Sequence, residues 1–189
     1  PKNQSEVVLD FRLKREAMLR GEVIGHSGLA PGVKVSAHFS NPKGGGYVHS
    51  DTTDAKGRFE IEVGDGKLTI AAWSPTEGVA YQDLPVLQEG QTVDWIVLEL
   101  KEGRKVTGTL RLASGTRVPL GEIHFFCAQA GFSSTVQADA QGDFVIPNIP
   151  PSLPIMAGPW HDTRTFEKRY TEIPPNQDTV ELVLYPQED

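Results

Sequence analysis

The chain lacks the features that mark disulfide-stapled and membrane-spanning proteins. Its single cysteine, Cys127, cannot form an internal disulfide, and it alternates with Ile123 and Phe125 as a buried strand residue would. It has no apolar run of about 18 residues and no charged-then-apolar leader, so we predict no membrane span and no signal peptide. Because the first residue is Pro1 and not Met, we expect the chain to be a piece of a longer protein.

Basic residues are scarce relative to acidic ones. Lysine and arginine total 18 against 25 aspartate and glutamate residues, which gives a net formal charge of -7. The resulting field repels the phosphates of nucleic acids and the headgroups of anionic lipids. We therefore predict no nucleic-acid partner and no membrane insertion for this segment.

The sequence has no recognisable set of reactive groups. It contains no Gly-x-Ser-x-Gly nucleophile motif, and two acidic groups per loop are too few for a calcium site. None of the five histidines has a partner at the i, i+2 or i, i+4 spacing of metal ligands: His26, His38, His49, His124 and His161. We therefore expect no catalytic activity, no metal site and no cofactor.

What the sequence does contain is an internal repeat. The octapeptide DAKGRFEI at residues 54–61 returns 85 positions later as DAQGDFVI at residues 139–146. Self-similarity at a fixed period indicates repeated structural units, so the repeat predicts two small domains rather than one large one.

The repeat also predicts where these domains begin and end. We place one unit at residues 15–101 and the second at 102–189, each large enough to fold alone. Residues 1–14 contain apolar positions from Val7 to Leu13 that match the closing strand of a unit. We interpret this segment as the closing strand of a truncated upstream repeat.

Apolar and polar residues alternate in nearly every segment, which predicts strands with one buried face. Turn signals such as Pro31-Gly32 separate them at the short spacing of an antiparallel sandwich, and no convincing long helix is present. The strand that contains Trp95 is apolar on both faces for part of its length. We therefore expect that strand to be central and covered on both sides.

The repeated Asp-x-x-Gly-x-Phe pattern is typical of a structural turn. The aspartate can accept a hydrogen bond from the backbone two residues on, the glycine can adopt a positive φ, and the phenylalanine can enter the core as the next strand begins. The residues concerned are Asp54, Gly57 and Phe59 in the first copy and Asp139, Gly142 and Phe144 in the second.

Around this turn, each copy has a first strand that carries a glycine, at Gly21 or Gly108, then a Pro/Gly turn and a closing strand. This order resembles the carboxypeptidase regulatory-like domains, a family related to transthyretin-like and Cna-B-like domains, over residues 17–187. The resemblance implies an all-β chain of two tandem transthyretin-like (prealbumin-like, Ig-like) seven-stranded Greek-key β-sandwiches. It also implies an extracellular, cell-surface or periplasmic location.

Three aromatic residues are candidate ligand contacts. Trp73 and Trp160 occupy matched positions 87 residues apart, and Tyr47 lies in a glycine-rich hairpin at residues 41–47. An exposed indole or phenol can stack on a sugar ring. The alternative is that the matched tryptophans cap the core or seal the junction between the two units.

These features predict a non-catalytic module that acts as a spacer and protein-interaction element of a larger protein, and the family resemblance implies that this is an envelope or secreted protein. Its expected partners are neighbouring repeats or domains of that protein. Two alternatives stay open, a carbohydrate-binding accessory unit and a regulatory appendage of a peptidase encoded in the same longer chain.

Overall fold

The computed structural model describes residues 15–39, 48–160 and 169–186. All of the regular structure in these ranges is β-strand, which confirms the all-β prediction. The predicted closing strand at residues 1–14 lies outside the described residues, and so do the candidate contact Tyr47 and the histidine His161.

The first half of the chain folds as a two-layered β-sandwich. Its strands are β1 (Ala17–Gly25), β2 (Gly28–Leu29), β3 (Lys34–Phe39), β4 (Val48–Thr52), β5 (Arg58–Val63), β6 (Leu68–Ser74), β7 (Gly78–Asp83) and β8 (Thr92–Glu99). One sheet has the order β5-β1-β8, with the short β2 paired to the end of β1, and the other has the order β4-β3-β6-β7. A single buried cluster that includes Leu19, Val35, Phe59 and Ile70 fills the space between them.

The second half folds in the same way. Its strands are β9 (Arg104–Leu112), β10 (Glu122–Cys127), β11 (Phe132–Gln137), β12 (Asp143–Ile149), β13 (Ile155–Trp160), β14 (Thr171–Ile173) and β15 (Thr179–Leu184). The sheets have the orders β12-β9-β15 and β11-β10-β13-β14, which are the orders of the first sandwich without β2. Apart from the two-residue β2, each sandwich has seven strands, in agreement with the predicted fold class. Cys127 is buried in the second core, and this burial raises the pKa of its thiol.

The turn before β5 is held by one carboxylate. Asp54 Oδ1 accepts hydrogen bonds from the backbone amides of Lys56, at 2.8 Å, and Arg58, at 2.9 Å. Gly57 has a φ of 69°, a conformation that favours glycine. Phe59 is 4% exposed and lies in the first core.

The turn before β12 has the same hydrogen bonds. Asp139 Oδ1 accepts from the amides of Gln141, at 2.8 Å, and Asp143, at 2.9 Å. Gly142 has a φ of 80°, and Phe144 is 3% exposed. The repeated sequence pattern thus corresponds to repeated backbone geometry.

The glycines of the two first strands lie against the phenylalanines that follow these turns. A Cβ atom at Gly21 would lie 2.8 Å from the Phe59 ring and would clash with the carbonyl of Ile96. A Cβ atom at Gly108 would clash with the Phe144 ring. Because each glycine has no side chain, the phenylalanine ring has space to pack against the strand.

The strand that contains Trp95 departs from its prediction. We expected a central strand covered on both sides, but among the described strands β8 pairs with β1 alone, in parallel, and stands at the edge of the sheet that they form. One residue separates Leu19 from Gly21 on β1, whereas two separate their partners Val93 and Ile96 on β8. This bulge turns Trp95 away from the core and leaves it 91% exposed.

The Asp54 turn makes the stability of the protein sensitive to acid. Hydrogen bonds from the amides of Arg58 and Lys56 hold the pKa of Asp54 below its ordinary value of 3.8. The stabilising contribution of the carboxylate is therefore complete above the unfolded-state pKa and is lost as pH falls through the folded-state pKa. We expect wild type to lose stability below about pH 4 more steeply than Asp54→Asn does, as measured by urea unfolding at a series of pH values.

The control for this comparison is Glu102→Gln, which removes one exposed carboxylate far from the turn along the chain and changes the net charge equally. Equal pH dependence for wild type and Asp54→Asn would contradict the role given to the turn.

Candidate functional site

Trp73 joins the two sandwiches. It projects from the outer face of β6 into the second sandwich, where its ring packs edge-on against Phe125, with 5.6 Å between ring centroids. The same ring lies nearly parallel to Phe132, at 6.2 Å and an interplanar angle of 10°. Its Nε1 donates a hydrogen bond to the carbonyl oxygen of Pro147 at 3.3 Å. Trp73 therefore belongs to the first sandwich by sequence and packs in the second core.

Other residues of the first sandwich extend this junction. Ala71 and Val79 are buried within the hydrophobic cluster of the second sandwich. Val79 also exchanges backbone hydrogen bonds with Lys101, the last residue of the first unit, at 2.9 and 3.1 Å. The hydroxyls of Tyr81 and Ser152, one from each unit, are 3.1 Å apart. The outer face of one sheet thus covers an edge of the next sandwich.

A buried asparagine adds a polar contact to the junction. Asn148 is 6% exposed, and its Nδ2 donates to the carbonyl oxygens of Ser74, at 2.9 Å, and Pro75, at 3.0 Å. Its Oδ1 accepts from the amide of Gly103 at 3.3 Å. Its φ of 54° lies in the left-handed region, which asparagine tolerates better than most residues. The sequence prediction missed Asn148, although its place in a proline-flanked departure from the repeat is a signal.

Trp160 has a different environment from Trp73. It is 49% exposed on the outer face of the second sandwich and lies 5.2 Å from His124, measured between ring centroids. Nδ1 of His124 is 3.0 Å from the hydroxyl of Tyr170, whose ring also contacts Phe126 at 5.2 Å. We call these four residues the aromatic face. The His124 ring is tilted by 48° to Trp160 and by 69° to Tyr170, so the rings do not form a flat platform.

A groove of about 650 Å³ lies on the outer face of the β5-β1-β8 sheet, beside Trp95. Within it, Nε of Arg20 donates to Glu60 Oε2 at 2.7 Å, and Nη1 of Arg20 lies 3.9 Å from Asp94 Oδ1. The hydrogen bond from Arg20 to Glu60 and the charge of that carboxylate raise the pKa of the guanidinium. We call this feature the Trp95 groove.

Most of the charge that lines the Trp95 groove is negative. Two arginines, Arg20 and Arg58, line it together with a larger set of acidic residues. These acidic residues are Glu22, Asp51, Asp54, Glu60 and Asp94. The groove therefore combines an excess of negative charge with an exposed aromatic ring.

Trp95 also has an unusual backbone conformation, since its φ is 65°. For a bulky side chain this left-handed conformation costs about 1–2 kcal/mol. The sequence prediction placed Trp95 in a covered strand and so missed it as a surface residue. The signal for the bulge is that Trp95 and Ile96 are adjacent and apolar, which breaks the strand alternation.

The described part of the chain contains no group of three His, Cys, Asp or Glu side chains that could hold a metal ion. Within the same residues, no helix is long and apolar enough to cross a membrane.

Comparison with protein-family models gives no match for this chain. Among curated proteins, none matches either. The resemblance to carboxypeptidase regulatory-like domains therefore stands on the sequence motifs alone.

Solved structures that are similar to this chain include a Bacillus anthracis protein and two pilins, all at low identity. The Bacillus anthracis TIE protein is 13% identical, with a TM-score of 0.36, over 92% of this chain, which spans only 34% of that protein's chain. The shaft pilin SpaA from Lactobacillus rhamnosus GG is 9% identical, with a TM-score of 0.36, over 94% of this chain and 99% of the pilin. The minor pilin of Streptococcus agalactiae is 12% identical over 92% and 97%, with a TM-score of 0.31. Similarity at this level carries no conclusion about function.

The matched tryptophans allow the junction to be tested directly. Trp73→Ala removes a ring that packs in the second core, so we expect a loss of about 3 kcal/mol in the free energy of unfolding. Trp160→Ala is the matched control, and because its side chain is half exposed we expect a loss below about 1 kcal/mol. Urea unfolding measures both, and equal losses would contradict the junction role of Trp73.

Proposed function

We propose that residues 15–101 and 102–189 are two tandem domains that act as one non-catalytic spacer and interaction element of a larger envelope or secreted protein. The observation that carries this proposal is the insertion of Trp73 from the first sandwich into the hydrophobic cluster of the second. Neighbouring repeats or domains of the same protein are the partners that a spacer needs.

The junction supports a fixed angle between the two sandwiches. Domains in one chain move relative to each other by default unless their interface is large and hydrophobic. Here, rotation would withdraw Trp73, Ala71 and Val79 from an apolar environment. It would also break both hydrogen bonds that Asn148 Nδ2 donates, leaving buried polar groups unpaired.

The structure gives less support to the carbohydrate-binding alternative than the sequence pattern did. Trp73 is used by the junction, so the two matched tryptophans do not form a pair of sugar contacts. Trp160 is half exposed, but the neighbouring rings are tilted and do not continue its plane. Tyr47 lies outside the described residues. Among the described residues, no contact specifically supports the alternative of a regulatory appendage of a peptidase.

Breaking the junction should convert the rigid pair into a flexible one. We expect the wild type to unfold in one calorimetric transition and Trp73→Ala to unfold in two, because the shared core no longer couples the sandwiches. Small-angle X-ray scattering should show a larger radius of gyration for Trp73→Ala and for Asn148→Gly than for wild type. The glycine substitution keeps the left-handed backbone conformation while removing the amide contacts.

Trp160→Ala is the control for both measurements, since it changes a matched tryptophan outside the junction. Two separate transitions in the wild type, or scattering that indicates free rotation, would contradict the spacer proposal.

A further inference from the structure

We propose that the Trp95 groove binds a basic segment of a partner polypeptide, with a lysine or arginine side chain seated on the Trp95 indole. The inference deepens the interaction role proposed above, but it does not depend on the rigid junction. It rests on three observations, which concern the bulge, the conformation of Trp95 and the charge of the groove.

The bulge that presents Trp95 is not required by the fold. In the second sandwich, β15 takes the place of β8 and pairs with β9 in continuous register, from Thr179 opposite Thr107 to Leu184 opposite Leu112. That strand has no bulge and no exposed tryptophan. The two sandwiches share their strand order, so the second shows that a closing strand can be built without this feature.

The conformation of Trp95 lowers the stability of the folded protein. The side chain is 91% exposed, so its ring gains almost nothing from burial, and its φ of 65° is unfavourable for a bulky residue. Strained residues that the surrounding structure holds in place are concentrated at binding and catalytic sites. Trp95 is therefore placed to contact something outside the sandwich.

The charge of the groove selects a cation as its occupant. Five acidic residues line it against two arginines, so a net negative charge is left after Arg20 has paired with Glu60. Asp94 precedes Trp95 in the chain and lies 3.9 Å from Arg20, so a negative group stands next to the exposed ring. A cation over an indole face is attracted by the ring, and tryptophan is the best partner for this contact.

The same features disfavour other occupants. An anionic chain, such as a nucleic acid, is repelled by the excess of carboxylates and by the net charge of -7. A neutral sugar would stack on the ring but would gain nothing from the net charge. A basic side chain uses both the ring and the negative charge, because its aliphatic stem covers the ring while its charged end contacts the carboxylates.

The test uses the whole chain and a capped trilysine peptide as the probe, observed by NMR through the indole N–H signal of Trp95. We expect saturable binding that weakens as salt concentration rises. The same peptide with all three lysines acetylated keeps the stems and loses the charge, and we expect at least a five-fold weaker affinity for it. Equal binding of the two peptides, no binding of trilysine, or tighter binding of a neutral hexasaccharide would overturn the proposal.

Substitutions locate the site. Binding of the trilysine peptide to these variants can be followed by calorimetry. We expect Trp95→Gly to weaken it about five-fold and Asp94→Asn to weaken it about two-fold. The controls are Trp160→Ala, which removes another exposed tryptophan, and Glu181→Gln, which removes a carboxylate from the corresponding face of the second sandwich. Unchanged binding by Trp95→Gly, or an equal loss in a control variant, would place the peptide elsewhere and overturn the proposal.

Trp95→Gly also separates binding from folding, because glycine accepts a positive φ. We expect its urea midpoint to equal or exceed that of the wild type. A lower midpoint would mean that Trp95 serves the fold, which would overturn its assignment to a ligand. Failure of peptide binding alone would leave the calorimetric and scattering tests of the junction unaffected, so the two proposals can fail separately.

Discussion

The packing of Trp73 in the second core is the contact on which the two-sandwich arrangement depends. A unit of this size buries only a modest share of its surface, and an open sandwich edge exposes apolar side chains to water. Ala71, Trp73 and Val79 cover such an edge with the outer face of a neighbouring sheet. The second sandwich is therefore completed by residues that precede it in the chain.

Local chemistry made much of the fold predictable. The Asp-x-x-Gly-x-Phe pattern corresponds to a turn in which one carboxylate accepts two amide hydrogen bonds, at Asp54 and again at Asp139. The same pattern accounts for the glycines at positions 21 and 108, because the phenylalanine of each turn packs where a side chain at that position would lie. These relations involve neighbours in sequence or on paired strands, so alternation and spacing are enough to indicate them.

The candidate sites could not be predicted in the same way. Trp73 and Trp160 are equivalent in sequence, yet one packs in a core and the other is half exposed, because within the described residues a sandwich packs against the sheet of Trp73 but not against that of Trp160. The sequence pattern predicted a covered strand residue at Trp95, whereas one extra residue on β8 turns its side chain outward. Exposure at these positions depends on how whole sheets meet and on strand register, which composition does not reveal.

The junction joins unlike surfaces, the edge of one sandwich and the flat outer side of the other. A contact of this kind is heterologous, and a heterologous contact does not close on itself as a two-fold dimer does. The aromatic face of the second sandwich, with Trp160 at the position of Trp73, lies on the side that the first sandwich uses to receive its neighbour. The pair consequently has a direction, from the sandwich that supplies the flat face to the sandwich that supplies the edge.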